Sequence, residues 1–563
     1  MGKENDQTGY RFDQYVISSN FSGIPKQAID GGKYPLSLQQ QSLWFLQQLD
    51  PADFSYNESK VLRIKGPLDH VELNRAFLDL MHRHQILRTV YMPSDGEPLQ
   101  FILLDPDAEL IVVNGIGNGD NARTAALANI KARAIQPFDL KSDLPVRADL
   151  YVIESDEYLL HLTVHHIAID GWSWPILLED LFSTYTTNTA RESHVQAPEM
   201  PAIQYADYSV WQREVEGDTS LQPALEHWLK KLDGATNLNL PTDKIRQITK
   251  SHRGRAHSFT IPSDLVDNCK RLARMHRATP FVVLFSAFNL LLARMTGEND
   301  VVVGLPISVR TEEQLESLIG MFVNTIAVRS ILPEAASFSD FITTTRDNWL
   351  ESLEHQKLPF DKLVAALHPD RVGNRNPVFQ AFFSYLQTSA ARLSVPGLSI
   401  EPVEIDFGIS RFDVELSLQA TAGKIEAQLF YDSDLFEPAS ISRMESLYLT
   451  ILEEVTTNTD ALIWRVPLLK GKERRTVLEQ WNETKTSYPG QAVHELFEKQ
   501  ARDSPEHTAI RHGEIQVSYR DFNLLANRLA VRLKRMGVST ETAVALHLER
   551  SIEYIASCLA VMK

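Results

Sequence analysis

YLLHLTVHHIAIDGWSWPILLEDLF, Tyr158 to Phe182, is an apolar run that stops on two adjacent histidines and a turn. In a strand, alternate residues share a face. Tyr158, Leu160, Leu162 and Val164 then form one apolar face, and His166 continues that register. Leu159, His161, Thr163 and His165 take the other. Asp170-Gly171 is a turn dipeptide. Ser173 suits a helix N-cap, and Pro175 suits the first turn of the helix that follows. The period points His166 toward the buried side at the strand's end, partly shielded yet open to a ligand, and sends His165 sideways. Three readings compete: a satisfied core histidine, a metal site of His165, His166 and Asp170, or acid–base chemistry. In the third, a neutral imidazole accepts a proton near the working pH. Asp170 then braces the loop, by an ion pair with a buried arginine.

The surrounding chain sets the scale. At 563 residues it exceeds a single core, and domains of roughly 100–200 residues predict three or four compact units. Hydrophobic residues make up 43% and charged residues 23%, a globular balance. The net charge of −17 argues against nucleic-acid and anionic-membrane partners. Cys269 and Cys558 are the only cysteines, which excludes a disulfide framework and suits a reducing, cytoplasmic setting. The first residues, MGKENDQTGYRFDQYVISSN, lack the apolar core of a secretory signal. No stretch approaches the roughly 20 apolar residues of a membrane span.

Residues 1–32 read as a polar leader or linker, and the dense pattern begins near residue 33. SLQQQSLWFLQQL reads as a helix and ESKVLRIKG as a strand. DHVELNRAFLDLMHRHQILRTVYM reads as an amphipathic helix running into a strand, with Leu73, Phe77, Leu80 and Met81 on one face. A polar, proline-bearing segment near residues 188–202 separates a first lobe (33–200) from a second (201–455). The second holds a buried helix from about Thr279, a buried strand DVVVGLPIS and an alternating strand KIEAQLFYDSDLF. Strands and helices mix without the regular alternation of a Rossmann or barrel fold. The expected class is α+β, in two lobes with a site where they meet. A linker over 456–485 leads to a third unit, 486–563.

HHIAIDGWS resembles the HHxxxDGxS motif of nonribosomal peptide synthetase condensation domains, and companions follow in family order. SLQQQSLWFL (Ser37–Leu46) is similar to SxAQxRLWxL, with Gln39 for Ala and Ser42 for Arg. RHQILRTVY (Arg83–Tyr91) is similar to RHExLRTxF. YADYSVW (Tyr205–Trp211), IGMFVNTIAVR (Ile319–Arg329), HQKLPFD (His355–Asp361) and RVGNRNPVFQ (Arg371–Gln380) resemble the remaining elements. The DxxxxD pattern of heterocyclisation domains is absent at this position. The FVNT element is of condensation rather than epimerisation type. DFGIS (Asp406–Ser410) only partly matches the DFGWG loop of plant-type acyltransferases. The opening LSLQQQSLWFLQQLDP looks more like the class joining an L-configured donor.

The resemblance implies a pair of chloramphenicol acetyltransferase-like lobes in a V shape, with a tunnel between them. It implies amide formation between two thioesters, each carried on the phosphopantetheine arm of a carrier protein, supplied in trans or by a larger synthetase. No bound cofactor and no metal are implied. His166 aligns with the second motif histidine and acts as general base or as orienter of the amine. His165 and Asp170 hold the loop. The candidate partners of Asp170 are Arg83, Arg88, Arg329 and Arg375, because a buried carboxylate without one costs several kcal/mol. Gly171 permits close backbone approach and offers an N–H to the oxyanion. Asn324 is a tunnel candidate. Each of these arginines, and Asn324, equally suits plain fold stabilisation.

VHELFEKQARDSPEHTAI and VSYRDFNLLANRLA resemble the start of an adenylation domain, a partial α/β subdomain. The sequence stops before that family's phosphate loop, ribose-binding aspartate and catalytic lysine, so ATP activation is not expected. The rival expectation is a non-catalytic truncated remnant or a carrier-protein docking scaffold.

Overall fold

A computed structural model describes residues 23–563 apart from 95, 115–118, 190–197, 216–217, 369–374, 388–392, 394, 422 and 489. Most of the leader read over 1–32, and the first four residues of RVGNRNPVFQ, lie outside the described residues. The chain divides into two compact units after Leu469.

In the first unit the first lobe contributes β1 (Asn57–Lys65), β2 (Leu110–Val113), β3 (Val146–Glu154) and β4 (Glu157–His165). The second contributes β5 (Gly254–Ile261), β6 (Asp300–Ser308), β7 (Val323–Ile331), β8 (Ala381–Gln387), β9 (Ser399–Pro402), β10 (Val414–Thr421) and β11 (Lys424–Asp432). Two larger sheets result, ordered β9-β1-β4-β3-β2 and β7-β6-β8-β10-β11-β5. Both mix parallel with antiparallel pairs, as an α+β reading expects.

The helices follow from local chemistry. α1 (Leu38–Leu49) starts at a reciprocal cap: Gln40 N–H donates to the Ser37 hydroxyl, and Ser37 N–H donates to the Gln40 side chain, both at 3.1 Å. α2 (His70–Arg83) is capped by Asp69 and buries Leu73, Ala76, Phe77, Leu80 and Met81, a helical stripe. α3 (Gly119–Ala134) turns Ala122, Ala126 and Ile130 inward. α4 is Ser173–Thr189 and α5 is Tyr205–Val215. In the second lobe α6 (Pro280–Thr296) is buried on every side from Phe281 to Ala293 and stops at Gly297, φ +76°.

β4 explains why its sequence is apolar almost without break. Leu160, Leu162 and Val164 join a core with α2 and α4. Leu159 joins a smaller core under α3. A central strand covered on both faces needs apolar residues in both registers. His161, on the second face, is fully buried beside Asp149 and Thr163.

Two expected boundaries shift. α5 falls beyond residue 200, yet Tyr205 and Tyr208 belong to the first lobe's core, because their rings pack on Phe322 at 4.9 and 4.8 Å. The expected linker from 456 is still second lobe as far as Leu469. Ile463 and Val466 are buried in its core, and their carbonyls accept from Arg294. The lobes also trade segments. The connection between β6 and β7 sends Leu315, Leu318, Ile319, Met321 and Phe322 into the first lobe's core. β9 pairs with β1 on the edge of the first sheet.

The second unit holds helices over Gly471–Leu478 and Val493–Asp503, a hairpin (Thr508–His512 with Ile515–Ser518), and the helices α7 (Tyr519–Arg535) and α8 (Ile552–Met562). Phe522, Ala526, Ile552, Ala556 and Leu559 form its core. Among the described residues no single helix is long and apolar enough to cross a membrane.

Candidate active site

The strand period fails one residue before it is needed. β4 ends at His165, and His166 already opens the turn. His165, read as pointing sideways, is the deeply buried one at 2% exposure, its ring edge-on to Phe138 at 5.9 Å. Its Nδ1 accepts the Ile167 N–H at 3.1 Å. Burial, then the neighbouring His166 and Arg147, drive its pKa down to about 3, so it stays neutral. His166, read as partly shielded at the strand's end, is half-buried. The cause is the turn: Ala168 N–H donates to His165 O at 2.9 Å, which bends the chain out of the pleat.

His166 is nevertheless held firmly. Its N–H donates to Tyr56 O at 2.8 Å. Its Nδ1 stands 2.6 Å from Ile169 O, and a carbonyl only accepts, so Nδ1 carries the proton. The lone pair is therefore on Nε2. Burial lowers the pKa of the ring below 6.5; Glu58 opposes this and Arg411 adds to it. The imidazole is a neutral base at neutral pH.

Asp170 does brace the loop, but its arginine is none of the four expected. Arg310, just past β6, places Nη2 at 3.1 and 3.3 Å from the two carboxylate oxygens. Phe322 N–H donates to the same carboxylate at 3.1 Å, Ser173 N–H at 2.8 Å and the Ser173 hydroxyl at 2.6 Å. Arg310 also donates to Ser173 Oγ at 2.8 Å and to the carbonyls of Leu315 and Leu318, with its guanidinium 4.0 Å over the Phe322 ring. Every oxygen is matched, which a buried pair requires. Gly320 makes the closure possible: a Cβ there would stand 2.1 Å from the Tyr205 ring.

The other candidates serve elsewhere. Arg83 donates to Thr184, and Arg88 donates to Met81 O and pairs with Asp30. Arg329 pairs with Asp300 through two bonds, at 2.9 and 2.7 Å. Arg375 donates to Asn239. All four hold local structure away from Asp170. Asn324 is buried, donating to Gln356 O and Leu358 O, and fixes the start of HQKLPFD. At Gly171, nothing lies within 4 Å of a Cβ position, so space is open there. The metal reading finds no shared focus, since Asp170 is spent on Arg310 and His166 Nδ1 on Ile169. Among the described residues no group of three or more potential ligands converges.

Sequence reasoning missed Arg310, Glu58 and Arg411. Arg310 had one usable signal: it follows a buried strand directly and precedes the GMFVNT element that folds back onto Asp170.

Residues 31–478 match the family model described as Condensation domain, and residues 497–563 match the model described as AMP-binding enzyme. A linear gramicidin synthase polypeptide of Brevibacillus parabrevis is 37% identical over 544 residues, 94% of this chain and 7% of that protein. Bacitracin synthase 2 of Bacillus licheniformis is 33% identical over 531 residues, 94% of this chain and 20% of that protein. The chain thus spans a fifth or less of the length of these relatives. The fold is similar to that of a four-domain nonribosomal peptide synthetase solved in its holo form with AMP and glycine. The TM-score is 0.79 at 22% identity, covering 96% of this chain and 42% of that one. The match over most of its length, with an HHxxxDG loop locked by Asp170 and Arg310, makes this chain a member of the condensation-domain family of nonribosomal peptide synthetases.

Proposed function

We propose that the first unit joins two thioesters into an amide, with His166 as general base. One observation carries this reading: Nδ1 of His166 is tied to the Ile169 carbonyl, which leaves Nε2 unprotonated at the half-buried end of β4. The neutral α-amine of an acceptor attacks the donor thioester carbon. The C–N bond forms and the intermediate carries an ammonium and an oxyanion. Nε2 takes one ammonium proton. The oxyanion collapses, the C–S bond breaks, and the leaving thiolate recovers that proton. The open space at Gly171 supports admission of the reacting carbonyl there, with the Gly171 N–H as the donor to its oxygen in this reading. Both thioesters ride on phosphopantetheine arms of carrier proteins, as the family implies, and the setting is cytosolic.

The test is incubation of the chain with donor-loaded and acceptor-loaded carriers, following carrier-bound dipeptide by mass spectrometry. His166→Ala should lower the single-turnover rate by about 10²–10⁴. Equal product from wild type and variant would remove His166 from the chemistry. Carrier binding with no turnover across a substrate panel would favour the docking scaffold.

A further inference from the structure

A second contact between the lobes stands beside His166. Arg411, between β9 and β10, reaches the first lobe, and its Nη2 lies 2.7 Å from Oε1 of Glu58 on β1. The same guanidinium lies 5.7 Å from the centroid of the Tyr56 ring. Tyr56 is the residue whose carbonyl receives the His166 N–H. Glu58 stands opposite Val164 in the β1–β4 register, two residues before His166. Arg411 therefore grips the end of β1 that carries the histidine's backbone.

The second lobe builds this reach from behind. Lys250 and Asn376 both donate to Arg411 O. Arg246 pairs with both oxygens of Asp413, two residues further on. The turn before Arg411 runs through Gly408 at φ +73°. It packs so closely on Gly254 that a Cβ there would stand 2.5 Å from the Ile409 carbonyl. A side chain anchored this way presents its charge at a fixed place.

The charges around His166 sort into matched sets. Asp170 is held by Arg310, and His165 is neutral. Lys60 lies near Glu58, and Arg147 near His165. Glu415, on β10 near Arg411, is pushed up to about 7 by burial, with Arg411 opposing and Glu58 adding. Glu58 itself is raised by burial, but Arg411 and His166 outweigh that and leave it lowered, so it is an anion. Glu58 and Arg411 are the two largest opposed charges acting on His166.

We propose that Glu58 and Arg411 are positioning residues for His166: a clasp between the lobes that holds the end of β1 and sets the charge facing the imidazole, so that His166 is readied as a base when the lobes are in contact. This rests on the acyl-transfer reading, and its test is kept separable from that reading. Histidine labelled with ¹³C at Cε1 in the full chain reports the titration of His166 without turnover, with His166→Gln assigning the signal. Arg411→Gln leaves Glu58 unmatched and should raise the His166 midpoint by about one pH unit or more. Glu58→Gln should lower it by a similar amount. The double variant should return toward wild type, and Arg411→Lys should stay close to it. The acidic limb of the rate–pH profile for amide formation should move in the same directions. Unmoved midpoints in both single variants overturn the clasp, whether or not wild type makes amide. Moved midpoints without amide sustain the clasp and sink the acyl-transfer reading. If Arg411→Gln does not fold, the midpoint of Glu58→Gln decides alone.

Discussion

Two carboxylate–arginine pairs flank His166, and they are built to opposite specifications. In Asp170–Arg310 the side chains are 1% and 3% exposed, and backbone N–H groups, a hydroxyl and carbonyls surround the pair. In Glu58–Arg411 they are 28% and 31% exposed, joined by one charged contact. The first is closed to solvent, and removing a partner strands a charge in the interior. The second lets solvent share the load, so its loss costs little fold and alters the local field. Rigidity and tuning are thus assigned to different pairs on either side of one imidazole.

That contrast can be broken by mutation. Asp170→Ala, or Arg310→Ala, should cost about 3–5 kcal/mol, since either leaves an uncompensated buried charge. Urea unfolding of the full chain measures it, and a loss below about 1 kcal/mol would make the two pairs alike. The acid response comes next. The folded pKa of His165 is lowered to about 3 from 6.5. Its contribution is complete above about pH 6.5 and falls away as pH drops toward 3, because the unfolded chain binds the proton first. His165→Asn should therefore lose distinctly less stability than wild type between pH 7 and 4.5. Gly320→Ala, which drives a methyl into the Tyr205 ring, should cost about 1–3 kcal/mol. Smallest is Arg411→Gln, at about 1 kcal/mol or less in thermal unfolding. A much larger loss there would mean the outer pair is as structural as the inner one.

The long helices and buried strands were legible because their periods run for several turns or alternations: α2's stripe and the unbroken apolar α6 need no tertiary information. The motif loop was legible as chemistry but not as geometry. Strand periodicity carried through His166 would hold only if β4 ran one residue further, and the Ala168–His165 hydrogen bond stops it. The need for an arginine at Asp170 followed from the cost of burying a carboxylate. Its identity did not, because Arg310 arrives through a connection whose course is set by Leu315, Ile319 and Phe322 finding another lobe's core. Glu58 and Arg411 lie far apart in sequence, and neither belongs to a periodic pattern that points at the other. The carrier partners rest on family resemblance throughout.

The placement of β9 has a consequence for how the chain comes to be folded. Leu62 pairs with Pro402, so the edge of the first sheet is finished by a strand made hundreds of residues later. During synthesis β1 emerges early and keeps an open edge until that strand appears, and Asp170 waits likewise for Arg310. Contacts of such sequence separation form late and slowly, and an open strand edge invites wrong pairing meanwhile. A fragment ending near residue 200 would hold the histidines yet keep that edge open, with Asp170 unmatched. The first lobe is complete only once segments of the second have joined its sheet and its core.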